Sequence, residues 1–405
     1  MKILYLCHRF PFPPKRGGKI RPFNMIRHLS QHHQVTVCSL VRSEQELEEG
    51  RGIHAHCTRF EAFRVHDPVQ WARMIARLPL GAPSSFGYFH SARMQRRIND
   101  LLAAERFDLI FVHCSSVAGY VAHVRHIPKI LDFGDMDSQK WLEYVHYKPW
   151  PLKWGYALEG YKLQRREGWL ARQFDLCTAT TRAEWQTLES YQTGAATDWF
   201  PNGVDATFFA PDGQGYDPQT ISFIGRMDYY PNQEAMLRFC EQTWPLLRAR
   251  HPQSRLLIVG ADPSEAILAL QKKPGVTVTG SVADVRPYIL RSAAMVAPLN
   301  IARGTQNKIL EAMSMGVPVI SSRIAAAGVD ASAPEHIRVA DEPDELCTEI
   351  SRVMSDPDER ARLAVSGRAR VLSHHAWPES MKRLDAIVAR CLANRVSVST
   401  AGIDR

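Results

Sequence analysis

Ala297-Pro-Leu-Asn-Ile-Ala-Arg-Gly-Thr-Gln-Asn-Lys-Ile-Leu-Glu311, continued by Ala312-Met-Ser-Met-Gly-Val-Pro-Val-Ile320, is the stretch that decides the fold. An apolar run over Ala294–Ala297 ends in it. A polar segment, Asn300 to Gln306, follows with one glycine at 304. Asn307 to Met315 then has the apolar spacing of a helix, and Gly316 is the residue type that ends one with left-handed backbone. Pro318 to Ser321 begins the next apolar run. Strand, loop, helix and strand in this order make a βαβ unit, which implies a parallel sheet. The same stretch carries chemistry. Asn307 sits near the N-cap, and Lys308 and Glu311 lie three residues apart on one helix face. A cation in a first helical turn is unfavourable unless an anion joins it, since helix N–H groups and an ammonium both attract phosphate. A carboxylate one turn on can accept hydrogen bonds from ribose hydroxyls. A surface Lys–Glu pair beside a solvent loop is the alternative.

The rhythm extends in both directions. Towards the N-terminus, strands are predicted at Ile3–Cys7, Val35–Leu40, Asp108–His113, Lys129–Asp132 and Leu176–Ala179, with helices such as Ile20–Ser30 and Ala92–Arg106 between them. A second series has strands at Thr220–Ile224, Arg255–Val259, Val276–Thr279, Ala294–Ala297, Pro318–Ser321 and His336–Val339. Its helices are at Asn232–Arg250, Val282–Ser292, Asn307–Met315 and Asp344–Met354. Two series predict two doubly wound α/β domains, residues 1–200 and 201–376, facing across a cleft. The Pro-, Gly- and Asp-rich stretch from Pro201 to Pro218 marks the boundary. A last helix, 377–394, ends the chain and precedes a polar tail, 395–405, expected to fray.

The 405 residues suit two domains. A net charge of +8 is compatible with an anionic ligand, a nucleic acid or an anionic membrane. Eight scattered cysteines without a CxxC pair argue against a disulfide framework or a zinc site and for reduced thiols in a cytosolic enzyme. The N-terminal Met1–Cys7 run reads as a buried strand rather than a signal peptide, and no window is apolar enough to span a bilayer.

Ligands of doubly wound sheets bind beyond the carboxyl ends of the strands, so the residues there are the candidates. After the first strand come Lys15, Arg16, Gly17 and Gly18, where paired glycines with left-handed backbone could cradle an anion. His113 ends a strand and should face the cleft rather than the core; capping the next helix is its structural alternative. Asp132, Asp135 and Asp137 could suggest a metal, but lack further ligands at known spacing. Gly225-Arg226 follows the first strand of the second series. There an Arg could grip a phosphate, or pair with Asp228. Gly260–Asp262 and Gly280–Val282 are further post-strand turns, the latter with backbone groups suited to a base. Residues 140–173 interleave aromatic and basic side chains, which suits a membrane or acceptor surface, nucleic-acid stacking, or helices packing their aromatics inward.

The 303–320 stretch, with Phe223-Ile-Gly-Arg-Met-Asp-Tyr-Tyr-Pro-Asn232 and Phe200-Pro-Asn-Gly-Val-Asp205, resembles the GT-B retaining glycosyltransferases of family 4. The opening Cys7-His-Arg-Phe-Pro-Phe-Pro-Pro-Lys-Arg-Gly17 resembles a subgroup associated with exosortase (PEP-CTERM) and exopolysaccharide gene clusters of Gram-negative bacteria. The resemblance implies a UDP- or GDP-sugar donor held mainly by the C-terminal domain, a final helix, 377–394, that crosses back to the N-terminal domain, and no obligate metal. The 140–173 segment and the net positive charge point to a saccharide or polyprenyl-linked acceptor and a cytoplasmic enzyme peripheral to the inner membrane, and the lack of a nucleic-acid motif beside that segment speaks against a nucleic-acid partner. By position, Glu311 corresponds to the ribose-binding Glu and Arg226 to the diphosphate-binding Arg. Gly17 and Gly18 correspond to the loop over the donor, and His113 to the His near the transferred sugar. Thr305, Gln306 and Asn307 fall in the turn that meets sugar and phosphate. Two positions depart from the pattern. Arg303 stands where the first Glu of Glu-x7-Glu is expected, and Pro231 where a diphosphate-binding Lys is expected, which leaves Lys308 as its substitute. A nucleotide-sugar epimerase, a phosphorylase-like enzyme and a non-catalytic binding module are the other readings.

Overall fold

The computed structural model describes residues 1–14 and 17–401, with backbone only from 396 onward. Lys15, Arg16 and residues 402–405 lie outside the described residues. The chain divides into two compact units, Met1–Phe200 with Met381–Arg405, and Pro201–Ser380.

The first unit holds strands β1 (Lys2–Cys7), β2 (Gln34–Val41), β3 (Arg59–Arg64), β4 (Leu109–His113), β5 (Lys129–Gly134), β6 (Leu176–Ala179) and β7 (Ala196–Trp199). They form one sheet in the order β3-β2-β1-β4-β5-β6-β7, and every pairing is parallel. The chain reverses its direction of travel between β1 and β4, so the crevice at their carboxyl ends is the position where such sheets take ligands. The second unit holds β8 (Asp217–Ile224), β9 (Arg255–Val259), β10 (Val276–Gly280), β11 (Ser292–Ala297), β12 (Val319–Ser321) and β13 (Arg338–Val339), ordered β10-β9-β8-β11-β12-β13. Its pairings are also parallel, and its switch point lies between β8 and β11. Both units are therefore doubly wound, Rossmann-like α/β domains. Each has its own apolar core, built on strands such as β4 and β11 that are buried along their whole length.

The sequence reading passed over β3 and β7. Both are sheet edges and only half-buried, so neither shows the continuous apolar run of a central strand. The Arg-Phe-Glu-Ala-Phe-Arg of β3 alternates instead. The helix expected over Asn232–Arg250 starts at Tyr230 and is broken into Tyr230–Arg238, a widened turn at Phe239–Thr243, and Trp244–Arg250. Pro245 has no N–H to give to the preceding turn, and the wider turn absorbs that loss. The helix expected at Val282–Ser292 shrinks to Arg286–Leu290, and Ser292 already belongs to β11. An unforeseen helix, Pro357–His374, opens with Asp356 accepting hydrogen bonds from the amides of Asp358 and Glu359. The last helix runs over Trp377–Ala401, so its backbone stays regular past Asn394 where fraying was expected.

Candidate functional site

In the second unit the turns after β8, β9 and β10 are stitched together. Gly225 N–H donates to Val259 O, Met227 N–H to Ala261 O and Gly260 N–H to Gly280 O. Gly260 has φ +155°, and a Cβ there would stand 1.8 Å from Gly225 O, so only glycine fits. Gly280 has φ +68° with open space where a side chain would be. Val282 packs its side chain against the core, which leaves its backbone as the group a ligand could meet.

Lys308 and Glu311 lie on the Asn307–Ser314 helix at the switch point. They are not a solvent-facing pair. The Lys308 Nζ donates to Asn232 Oδ1 at 2.6 Å and lies 4.4 Å from the Phe223 ring centroid. Asn232 in turn donates from Nδ2 to Arg226 O at 2.8 Å. Burial pushes the Lys308 ammonium down to about 7, against a smaller upward pull from Glu311. Burial likewise pushes the Glu311 carboxyl up to about 7, against a downward pull from Lys308. Each group is thus costly to charge without a further partner. A Cβ on Gly225 would meet Asn232 Nδ2 at 2.6 Å and Lys308 Nζ at 3.1 Å, so the glycine keeps room for this pair.

The loop before that helix is shaped by Gly304, at φ +61°, whose carbonyl packs closely on Gly328. Gln306, not Asn307, is the N-cap, and no side chain caps the first-turn amides. Asn307 Oδ1 and Thr305 Oγ1 are buried without a hydrogen-bond partner. Orphaned buried polar atoms are costly unless a ligand or water satisfies them. Arg226 presents Nε and NH2 to Asp228 and NH2 to Asp262, at 2.6–3.0 Å. Its pairing with Asp228 is therefore present, and a phosphate would have to take the arginine from two carboxylates.

In the first unit His113 ends β4, at the carboxyl end of the strand, and is only 6% exposed. It does not cap the next helix, whose N-cap is Cys114. His113 Nδ1 lies 2.7 Å from Asp132 Oδ2. Asp132, fully buried, also accepts from Arg21 Nε and NH2 at 2.9 Å each and from Thr178 Oγ1 at 2.8 Å. Burial pushes the Asp132 carboxyl up, but the charge and hydrogen bonds of Arg21, with His113, outweigh it and hold it well below the usual carboxylate range. A carboxylate only accepts, so Nδ1 of His113 carries the proton. Arg21 further donates to Phe200 O and lies 3.7 Å over the Phe200 ring. His8 stands beside His113, rings 5.9 Å apart, with a buried, unpartnered Nδ1.

Gly17 and Gly18 do not form a left-handed turn. They are the first two residues of the Gly17–Leu29 helix, and a Cβ on Gly18 would meet only the Arg9 side chain, at 3.7 Å. Any anion there would meet a helix N-terminus instead. The three aspartates do not converge: Asp132 faces Arg21, Asp135 accepts from Thr180 Oγ1 and Asp137 neighbours Cys114. Among the described residues no cluster of three or more His, Cys, Asp or Glu could hold a metal. Asn232, Arg21 and Thr178 were missed. Asn232 stood inside a quoted motif, but its partner Lys308 is 76 residues away.

The description "Glycosyltransferase Family 4" matches residues 16–208, and "Glycosyl transferases group 1" matches residues 218–356. A curated relative, the GDP-mannose-dependent alpha-(1-6)-phosphatidylinositol monomannoside mannosyltransferase of Mycolicibacterium smegmatis, is 26% identical over 226 residues. That match takes in 49% of this chain and 58% of the relative, so it spans less than two thirds of the relative's length. Among solved structures, sucrose-phosphate synthase from Thermosynechococcus elongatus has a TM-score of 0.69 at 15% identity, covering 97% of this chain and 99% of that one. Anabaena HepE in complex with UDP and glucose has a TM-score of 0.67 at 15% identity, covering 96% and 100%. These structural likenesses speak for the fold. With both units doubly wound and both family descriptions matched in order, the chain belongs to the GT-B-fold glycosyltransferases of family 4.

Proposed function

We propose that this protein transfers a sugar from a nucleotide-diphosphate sugar to a saccharide or lipid-linked acceptor, with retention of configuration and without an obligate metal. The observation that carries the reading is the half-buried Lys308–Glu311 pair beside an uncapped helix N-terminus and two orphaned polar atoms, Thr305 Oγ1 and Asn307 Oδ1. A nucleoside diphosphate supplies what each lacks. Its phosphates pair with Lys308 and the first-turn amides, and its ribose hydroxyls donate to Glu311. Gly225, Gly280 and Val282 offer backbone to the nucleoside, and Thr305, Gln306 and Asn307 line the turn for sugar and phosphate.

In the reaction the bond between the sugar's anomeric carbon and the phosphate oxygen breaks. The acceptor oxygen bonds to the same face, and the acceptor proton passes to the leaving phosphate oxygen. Charge grows on the diphosphate, and Lys308, Arg226 and the helix N-terminus stabilise it where a metal would otherwise serve. Arg226 exchanges Asp228 or Asp262 for phosphate as the donor enters. His113, its Nδ1–H fixed on Asp132, orients the sugar, and the amides at Gly17 and Gly18 favour the donor's negative charge.

A UDP- or GDP-sugar is the proposed donor class. The Mycolicibacterium relative is named for GDP-mannose and phosphatidylinositol monomannoside, which supports a lipid-linked acceptor. Exopolysaccharide assembly at the cytoplasmic face of a membrane is the proposed setting. The test measures nucleotide release with UDP- and GDP-sugars, with and without saccharide and polyprenyl-phosphate acceptors. Acceptor-dependent release supports transfer. Conversion of UDP-GlcNAc alone to an epimer, or binding with no release under any pairing, would replace it with an epimerase or a binding module.

A further inference from the structure

The Leu152–Ala171 helix buries Leu163, Leu170 and Ala171 together with both of its carboxylates, and leaves large apolar side chains outside. Its carboxylates face inward: Glu159, 3% exposed, accepts from the amides of Ser84 and Ser85, and Glu167, fully buried, accepts from Ser138 and Tyr191. Its outward stripe, Trp154, Leu158, Tyr161 and Arg165, follows the spacing of one helix face and starts apolar. Trp154 is 65% exposed, and Trp150, just before the helix, is 74% exposed. An ordinary surface helix puts these residue types the other way round.

A second element continues the apolar surface. The helix Asp67–Ala76 and the segment after it expose Val69, Trp71, Ile75, Leu78 and Leu80. Lys162 Nζ donates to Leu78 O at 2.7 Å, and Glu159 holds Ser84 and Ser85. These bonds lay the 78–85 segment along the Leu152–Ala171 helix. The charges around the two stripes are mainly basic: Arg73, Arg77, Lys153, Lys162, Arg165 and Arg172, against one exposed carboxylate, Asp67 at the start of its helix, which accepts from the Tyr88 hydroxyl.

We infer that these two elements together form a docking face for an anionic lipid bilayer, with the tryptophans and leucines entering the interface and the cations meeting the headgroups. Tryptophan and tyrosine favour that depth, and basic side chains long enough to reach headgroups complete the pattern. Among the described residues no helix is long and apolar enough to cross a membrane, so the contact is interfacial. A second copy of the chain is disfavoured, because a two-fold interface would set these cations against themselves. Nucleic acid is disfavoured by Val69, Ile75, Leu78, Leu80, Leu152 and Leu158, which offer bases nothing to stack on.

The test uses the full chain with vesicles of phosphatidylglycerol and phosphatidylcholine, and with phosphatidylcholine alone. The wild type should sediment with the anionic vesicles, and less so as salt rises. Its tryptophan emission should be quenched by brominated acyl chains. Trp154→Glu with Leu158→Glu should weaken partitioning by at least about tenfold, and Lys153→Gln with Arg165→Gln should reduce the salt dependence. The mutated side chains are exposed, and circular dichroism melts check the fold. Absent vesicle binding, binding unchanged in the Trp154/Leu158 variant, or wild-type emission untouched by brominated lipid would each overturn the inference. So would RNA binding or self-association that this variant abolishes while vesicle binding persists. None of these readouts needs catalysis, so failure here leaves the glycosyl-transfer reading standing, and the reverse also holds.

Discussion

Replacing Lys308 by Met separates a catalytic cation from a structural one. Burial has brought the ammonium down to about 7 from an ordinary 10.5. That gap corresponds to roughly 4–5 kcal/mol of unfavourable charging in the ligand-free protein. Methionine keeps the stem, removes that cost and loses one hydrogen bond to Asn232, worth about 1–3 kcal/mol. The two changes oppose each other, so the variant should melt within a few degrees of wild type or above it. Turnover should behave differently. Loss of a preorganised charge from a developing oxyanion costs about 10²–10³ in rate, or ~3–4 kcal/mol. The assay pairs nucleotide release with a thermal melt on the same preparation. A Lys308→Met protein with kcat/KM within about threefold of wild type, or one that does not fold, would refute the reasoning.

The same lysine sets a pH dependence. A bound diphosphate raises the pKa of Lys308, so donor binding takes up a proton above pH 7. Affinity should therefore fall towards tenfold per pH unit over pH 7.5–8.5, and Lys308→Met should flatten the slope in calorimetric titrations. Asp132→Asn leaves Arg21 buried without its anion and should cost about 3–5 kcal/mol, read from denaturant melts. Because the folded pKa of Asp132 is depressed, its contribution is present above about pH 4 and is lost as pH falls through the folded value, so the wild-type excess over Asp132→Asn should vanish only in strong acid. Gly260→Ala puts a Cβ against Gly225 O and should destabilise the second unit by more than ~2 kcal/mol, measured by hydrogen exchange in residues 217–300. Gly225→Ala should leave the melt nearer wild type but weaken donor binding by displacing Lys308 and Asn232.

The central strands were legible because burial on both faces demands unbroken apolar runs, as in Leu109–Val112 and Ala293–Ala297. The edges β3 and β7 were not, since only one neighbour covers them and their pattern is diluted. The Pro357–His374 helix hid behind its charges, although Asp356-Pro-Asp-Glu359 is a helix-start signature. In the site, Lys308 and Glu311 could be placed together from their spacing on one helix. Their depth could not, because Asn232 and Phe223 come from elements far away in sequence. Likewise His113 was found by its place at a strand end, while Arg21, 111 residues from Asp132, left no local trace. Gly17 and Gly18 were misread because a glycine pair at a helix start and one in a left-handed turn look alike in sequence.

The claim that the second unit holds a nucleotide-diphosphate sugar at Lys308 and Glu311 is tested most directly by thermal shift with UDP-, GDP-, ADP- and TDP-sugars, on wild type and Glu311→Gln. One nucleotide class at 100 times its Kd should stabilise the wild type by about 2.7 kcal/mol, and the shift should shrink or vanish in Glu311→Gln. No shift with any of the four, or an equal shift in both proteins, would contradict the account.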